Sequence, residues 1–200
     1  MNEKELRVKR HLGILVVLVE CLSLTLLIFS LSRNIFPDKT AIVLLCLLPI
    51  IFGLHVMEEF VLPGGFIAWD NTFRPQFTET AASFYVRVNA IPMLGGFLLV
   101  CAAAANPQRY LETVAPSWLT IATFMCWNAI FHLRGSIATR RYSPGVITGL
   151  ALFYPLTIVS YVHFLREGML PLLAVIAGAA ALLIQPVLDI IKHGRAQAGA

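Results

Sequence analysis

From Leu12 to Leu31 the chain carries one charged side chain, Glu20, in an otherwise apolar run. A run of about 18 or more apolar residues is long enough to cross a bilayer as a helix. Further runs of the same kind follow, so the chain reads as a polytopic membrane protein. Composition agrees: 58% of residues are hydrophobic, 13% are charged and mean hydropathy is +0.78. A soluble domain has about a quarter of its residues charged.

Six spans fit the sequence, at 11–32, 40–62, 81–105, 116–138, 145–165 and 168–191. The expected fold is therefore an all-α transmembrane helix bundle in a single domain, 1–200. Five spans result if Gly168 does not split the last apolar stretch, where Arg166-Glu167 is the only charge signal. Asn106-Pro107-Gln108 and Arg140–Gly145 break the chain. Residues 63–80, with Pro63-Gly64-Gly65, Trp69 and Arg74-Pro75, read as an interfacial loop with an aromatic anchor. Lys4, Arg7, Lys9 and Arg10 precede the first run as in a signal peptide. That run is longer than a signal peptide's apolar core, and no small-x-small cleavage site follows, so it reads as a retained helix. Cys21, Cys46, Cys101 and Cys126 each lie in an apolar run without a C-x-x-C pair and read as small buried residues.

The net charge of +4 does not point to nucleic acid, because no basic stripe with interleaved aromatics occurs. The basic residues sit between apolar runs, where they set topology. With the N-terminus cytoplasmic, that side holds Lys4, Arg7, Lys9, Arg10, Arg74, Arg134, Arg140, Arg141, Lys192 and Arg195. The other side holds Arg33, Lys39, Arg109 and Arg166. The balance favours a multi-pass protein with both termini in the cytoplasm. Arg134, Arg140 and Arg141 are also placed to meet a lipid phosphate.

An ionisable side chain inside a span costs about 2.5–3.5 kcal/mol on insertion scales, so each is a functional candidate. Away from span ends these are Glu20, His55, Glu58, Glu59, Arg87, His132, His163 and Asp189, with Asn89, Asn128 and Gln185 as the main amides. At 1.5 Å per residue, Glu20, His55, Asn89, His132 and Gln185 lie roughly 9–14 Å below the cytoplasmic ends of their spans. They are expected to converge on one layer. His55, Glu58 and Glu59 share a helix face at i, i+3 and i+4, and Asn128 and His132 share another at i and i+4. Arg87, near a span start, reads as snorkelling to the surface or pairing with a carboxylate. His163 reads as interfacial at the opposite face, and His11 and His193 as solvated flanks.

His55-Val-Met-Glu58-Glu59 resembles the signature of the HXXEE domain family of small bacterial membrane proteins. Asn128-Ala-Ile-Phe-His132 is similar to that family's second motif, and Arg141–Thr148 resembles the segment that follows it. The likeness covers residues 40–160. It implies a bacterial cytoplasmic membrane protein whose His and Glu positions matter, and supplies no reaction.

The residues themselves suggest a metal site. Imidazole and carboxylate suit zinc, iron or manganese. His55, Glu59 and His132 form a His₂Glu set of the kind that holds catalytic zinc with one position open. The pattern echoes the inverted zinc-protease motif H-x-x-E-H with its last His replaced by Glu59. Glu58 would then be the acid or base, unless the two glutamates exchange roles. Asn89 and Asn128 would orient cofactor or substrate. The cofactor would be zinc or iron, and the substrate a hydrophobic lipid or isoprenoid entering from the bilayer under the 63–80 segment. A dinuclear iron site lacks enough ligands, and the histidine-rich pattern of membrane desaturases is absent. Two alternatives stand beside this one. One is a metal-free lipid isomerase or cyclase using Glu58 and Glu59 with pKa values pushed apart. The other is a small proton-coupled transporter, which a homodimer would help to build because no inverted repeat is present. Polar glue between helices is the bland reading.

Overall fold

The computed structural model describes residues 3–77 and 80–198; the side chains of residues 77, 184–186 and 188–198 are outside the described part. Gln185, Asp189 and His193 thus fall outside the described side chains. The described residues are helical, with no strand. In chain order the helices are α1 (Glu3–Ser32), α2 (Lys39–Phe60), α3 (Phe66–Phe73), α4 (Ala82–Ala105), α5 (Tyr110–Thr113), α6 (Ala115–Thr139), α7 (Val146–Thr148), α8 (Tyr154–Arg166) and α9 (Pro171–Ala198). A π turn, Gly149–Phe153, joins α7 to α8.

Glu3–Ser32, Lys39–Phe60, Ala82–Ala105 and Val146–Arg166 are each long and apolar enough to cross a membrane. The exterior has the matching character: Ile14, Val17, Leu18, Ile28 and Phe29 of α1 and Ile158, Val159 and Val162 of α8 are exposed. Side chains that lipid would cover need no protein partner. The chain is a membrane protein built as a helical bundle.

The α1–α2 turn ends on Asp38, whose carboxylate accepts from Thr40 N at 2.9 Å and caps α2. Pro49 lies inside α2. A proline has no N–H for the carbonyl four residues back, which here is Leu45. The indole N–H of Trp118 on α6 donates to that carbonyl at 3.1 Å, and Trp118 is fully buried. A freed backbone acceptor in an apolar layer is thereby satisfied across helices. The Trp118–Leu45 bond joins α6 to α2, the two helices that carry the His/Glu motif and the Asn/His motif.

Two glycines set the approach of other segments to α6. A Cβ on Gly149 would stand 2.8 Å from the Cβ of Ala129, so the π turn packs directly on α6. A Cβ on Gly135 would strike the Trp69 ring, so α3 lies against α6 at that point. The 63–80 segment, expected as an interfacial loop with an aromatic anchor, is helical over Phe66–Phe73. Trp69 in this helix is 6% exposed and packs against the bundle. The reason is the spacing of Phe66, Trp69 and Phe73, one apolar face that folds onto α6 as a short amphipathic helix. The edge of that face is tied by Asp70, which pairs with Arg74 at 2.7 Å and accepts from Tyr85 of α4 at 3.2 Å.

Candidate functional site

α2 and α6 bring His55, Glu59 and His132 together. They are 1%, 3% and 0% exposed. Glu59 Oε1 lies 2.9 Å from His132 Nε2 and 3.4 Å from His55 Nε2. The three donor atoms all fall within 4.8 Å of one another. For metal–ligand bonds of about 2.0–2.1 Å, ligand atoms on a tetrahedral ion stand about 3.3–3.4 Å apart. The two spacings from Glu59 Oε1 to the ring nitrogens lie within about half an ångström of that value. A carboxylate oxygen facing two ring nitrogens also demands positive charge between them, either a proton on a ring nitrogen or a cation.

The outward nitrogens of both rings are held by hydroxyls. His55 Nδ1 lies 2.9 Å from Thr148 Oγ1, and His132 Nδ1 lies 2.8 Å from Ser143 Oγ. Thr148 donates its only hydroxyl proton to Glu58 Oε2 at 2.5 Å. Toward His55 it is therefore an acceptor, so His55 carries its proton on Nδ1 and presents the Nε2 lone pair to the trio. Asn128 sits over the same point. Its amide nitrogen is 3.0 Å from His55 Nε2 and 3.3 Å from His132 Nε2.

Glu58, expected as the acid or base, has a different setting from Glu59. Its carboxylate accepts from Tyr142 Oη, Ile147 N at 3.1 Å, Thr148 N at 2.8 Å and Thr148 Oγ1. It thus sits on the first turn of the Val146 helix, where unpaired N–H groups favour an anion. Four donors fill the oxygens that a general base would need free. The Tyr142 phenol, in the turn outside the helices, is pushed well above its ordinary pKa by burial and then by its bond to Glu58, so it stays a donor at physiological pH.

Gly145 makes this packing feasible. Its φ is +101°, and a Cβ there would come within 2.8 Å of Cε1 of both His55 and His132 and 3.0 Å of Glu59 Cγ. Both the left-handed backbone and the lack of space require glycine. Aromatic rings close the remaining sides. Trp69 stacks on His132 at 5.8 Å and 20°, Phe66 and Phe131 lie 5.4 Å from it, and Phe153 lies 5.4 Å from His55.

The other candidates scatter. Asn89 is buried, but its amide donates to Tyr85 O of its own helix at 2.9 Å and makes no hydrogen bond to the trio. Glu20 packs on Gly53, where a Cβ would meet Glu20 Oε1 at 2.6 Å, and Glu20 Oε1 is buried without a hydrogen-bond partner. Arg87, Arg134, Arg140 and Arg141 are exposed. His11 is exposed and bonds the Arg7 carbonyl. His163 lies against Asp38 at the far end of α2. Sequence reasoning assigned no role to Tyr142, Ser143, Gly145 or Thr148. The signal was present, since all four belong to the third motif, quoted for its resemblance alone.

A family model for a "Protein of unknown function with HXXEE motif" matches residues 46–160. No curated protein and no solved structure matches the chain. The matched stretch spans His55, Glu58, Glu59, Asn128, His132 and the 142–148 turn that holds their outer atoms. The chain belongs to the HXXEE family.

Proposed function

We propose that the protein is a membrane-embedded, metal-dependent enzyme acting on a hydrophobic lipid or isoprenoid substrate in a bacterial cytoplasmic membrane, with both termini cytoplasmic. His55, Glu59 and His132 are the metal ligands. Asn128 orients the metal or the substrate above them. Glu58 is reassigned from acid or base to positioning residue, acting on His55 through Thr148. Asn89 is left with a role within α4.

One observation carries this reading. Two Nε2 atoms and one carboxylate oxygen converge in a buried spot while the opposite ring nitrogens are held by hydroxyls. Metal-binding histidines characteristically have the second nitrogen fixed in this way. Zinc and ferrous iron suit the donor set. Such an ion would supply Lewis acidity toward a polar group of the substrate. The chain's own part is to hold the ligands, keep water out with Phe66, Trp69 and Phe153, and orient the substrate with the Asn128 amide.

The surroundings support the proposed substrate class. A cavity of about 530 Å³ is lined by Phe73, Trp127, Ile130, Phe131, Leu182 and Arg134, among others. Its wall residue Phe131 touches both Trp69 and His132. A largely apolar groove lined also by Arg134 and by Arg74, which pairs with Asp70, suits an amphiphile with an anionic head. The metal-free reading needs two carboxyls sharing one site, and Glu58 is instead turned onto the 142–148 segment.

The test is metal content by plasma mass spectrometry on detergent-purified protein, wild type beside His55→Ala and His132→Ala. The expected result is one near-stoichiometric ion fewer in each variant, with helix content unchanged. Equal metal in all three proteins overturns the reading.

A further inference from the structure

A second group of ligand-type side chains lies at the other end of α2. Asp38 and Glu59 are separated by 21 positions, so the two ends stand about 30 Å apart at 1.5 Å per residue. There, His163 Nε2 lies 2.5 Å from Asp38 Oδ2, and Tyr110 Oη donates to the same oxygen at 3.3 Å. Glu167 follows His163 by four positions at the end of α8. Ligand atoms of Asp38, His163 and Glu167 all lie within 4.8 Å of one another.

We propose that Asp38, His163 and Glu167 form a second divalent-metal site, for zinc or a similar borderline cation, at the end of the bundle opposite the His55 site. Three features carry it. The first is the donor set, one imidazole with two carboxylates, which suits zinc, manganese or ferrous iron. The second is charge. Two carboxylates meet one imidazole, and among the described residues no lysine or arginine forms an ion pair with either. The Asp38–His163 pair leaves Glu167 without an ion pair among the described residues, whereas a cation engages all three.

The third feature is preorganisation. Asp38 is fixed by its cap bond from Thr40 N through Oδ1 and by the hydroxyl of the buried Tyr110 on Oδ2. His163 and Glu167 repeat the i, i+4 His–Glu spacing of His55 and Glu59. In both places the third donor comes from a different element. Unlike the inner trio, this group is partly exposed, so water completes the coordination and the ion exchanges with the medium. The ion would clip the α1–α2 turn to the end of α8, residues 125 positions apart in the chain, and would stabilise the folded state by mass action.

This inference is independent of the proposed enzyme. The test strips full-length protein in detergent with a chelator, titrates it with Zn²⁺ alone, and counts bound ion after desalting. His163→Ala should lose one equivalent relative to wild type. Glu167→Gln, a change at an exposed side chain that makes no side-chain hydrogen bond among the described residues, should weaken that equivalent tenfold or more without unfolding. The Zn²⁺-induced rise in Tm should shrink in both. The double variant His55→Ala/His132→Ala should keep the outer equivalent. If wild type binds one ion that survives in this double variant and is lost in His163→Ala, the outer site stands and the inner metal reading fails. If His163→Ala and Glu167→Gln both match wild type in count and affinity, the outer site is overturned.

Discussion

Thr148 links Glu58 to His55: its hydroxyl donates to Glu58 Oε2 at 2.5 Å and accepts from His55 Nδ1–H at 2.9 Å. One threonine thereby fixes the tautomer of His55, the proposed ligand, through a carboxylate turned away from the His55–Glu59–His132 trio. Thr148→Val keeps the shape and removes the link. Metal affinity should fall about 10–100-fold, the usual cost of losing such a partner, and Thr148→Ser should restore most of it. A competition titration against a chromophoric chelator reads both.

The two adjacent glutamates should separate in their effects. Glu58→Gln places an amide nitrogen among four donors. Bonds to a charged group contribute about 1.5–3 kcal/mol each, so its Tm should drop clearly. Glu59→Gln should instead abolish inner metal binding with a smaller change in Tm. Thermal unfolding followed by circular dichroism, beside metal analysis, distinguishes them. Equal effects of the two changes on both readouts would refute the division of labour.

Gly145→Ala should be among the most damaging small changes. The added methyl meets both imidazoles at 2.8 Å in a backbone with φ +101°. Strain of this kind costs about 1–3 kcal/mol, before any displacement of the rings. We expect a lower Tm and loss of the inner ion. Gly65→Ala has a positive φ of 89° but open space around its Cβ, so it should lower Tm without touching metal content.

Trp118→Phe should leave the Leu45 carbonyl without a donor in an apolar layer, a loss of about 1–3 kcal/mol. Pro49→Ala supplies a backbone N–H for the same carbonyl. The double variant should therefore be less destabilised than the sum of the single changes, and a thermal double-mutant cycle measures the difference.

Much of this architecture was legible in the apolar runs, because the bilayer allows few backbone solutions. The pairing of His55 and Glu59 followed from their spacing on one helix, and Asn128 and His132 from theirs. Depth was a weaker guide. It ranks residues along a helix axis and leaves open the direction in which each faces. Glu20 meets Gly53, and Asn89 turns to its own backbone, although both have the right depth. Spacing at i+3 and i+4 likewise does not decide which of Glu58 and Glu59 turns inward. That choice is made by the helix N-terminus at Val146, brought in from about 90 positions away. The place of α3 was hidden for a similar reason. An eight-residue helix between breakers is too short to stand out against the flanking runs.

The turn from Tyr142 to Thr148 gives one partner to His132, one to His55 and several to Glu58. These contacts sit side by side on a short backbone, so the turn cannot peel away from one of them while keeping the rest. Its release is all or none, at the combined expense of bonds to a carboxylate and two imidazoles. On the opposite side, Phe66 and Trp69 meet His132 only through ring contacts, each worth about 0.5–1.5 kcal/mol. The buried trio is thus held by hydrogen bonds from the 142–148 turn and by ring contacts alone from α3, so α3 is the neighbour that costs less to displace.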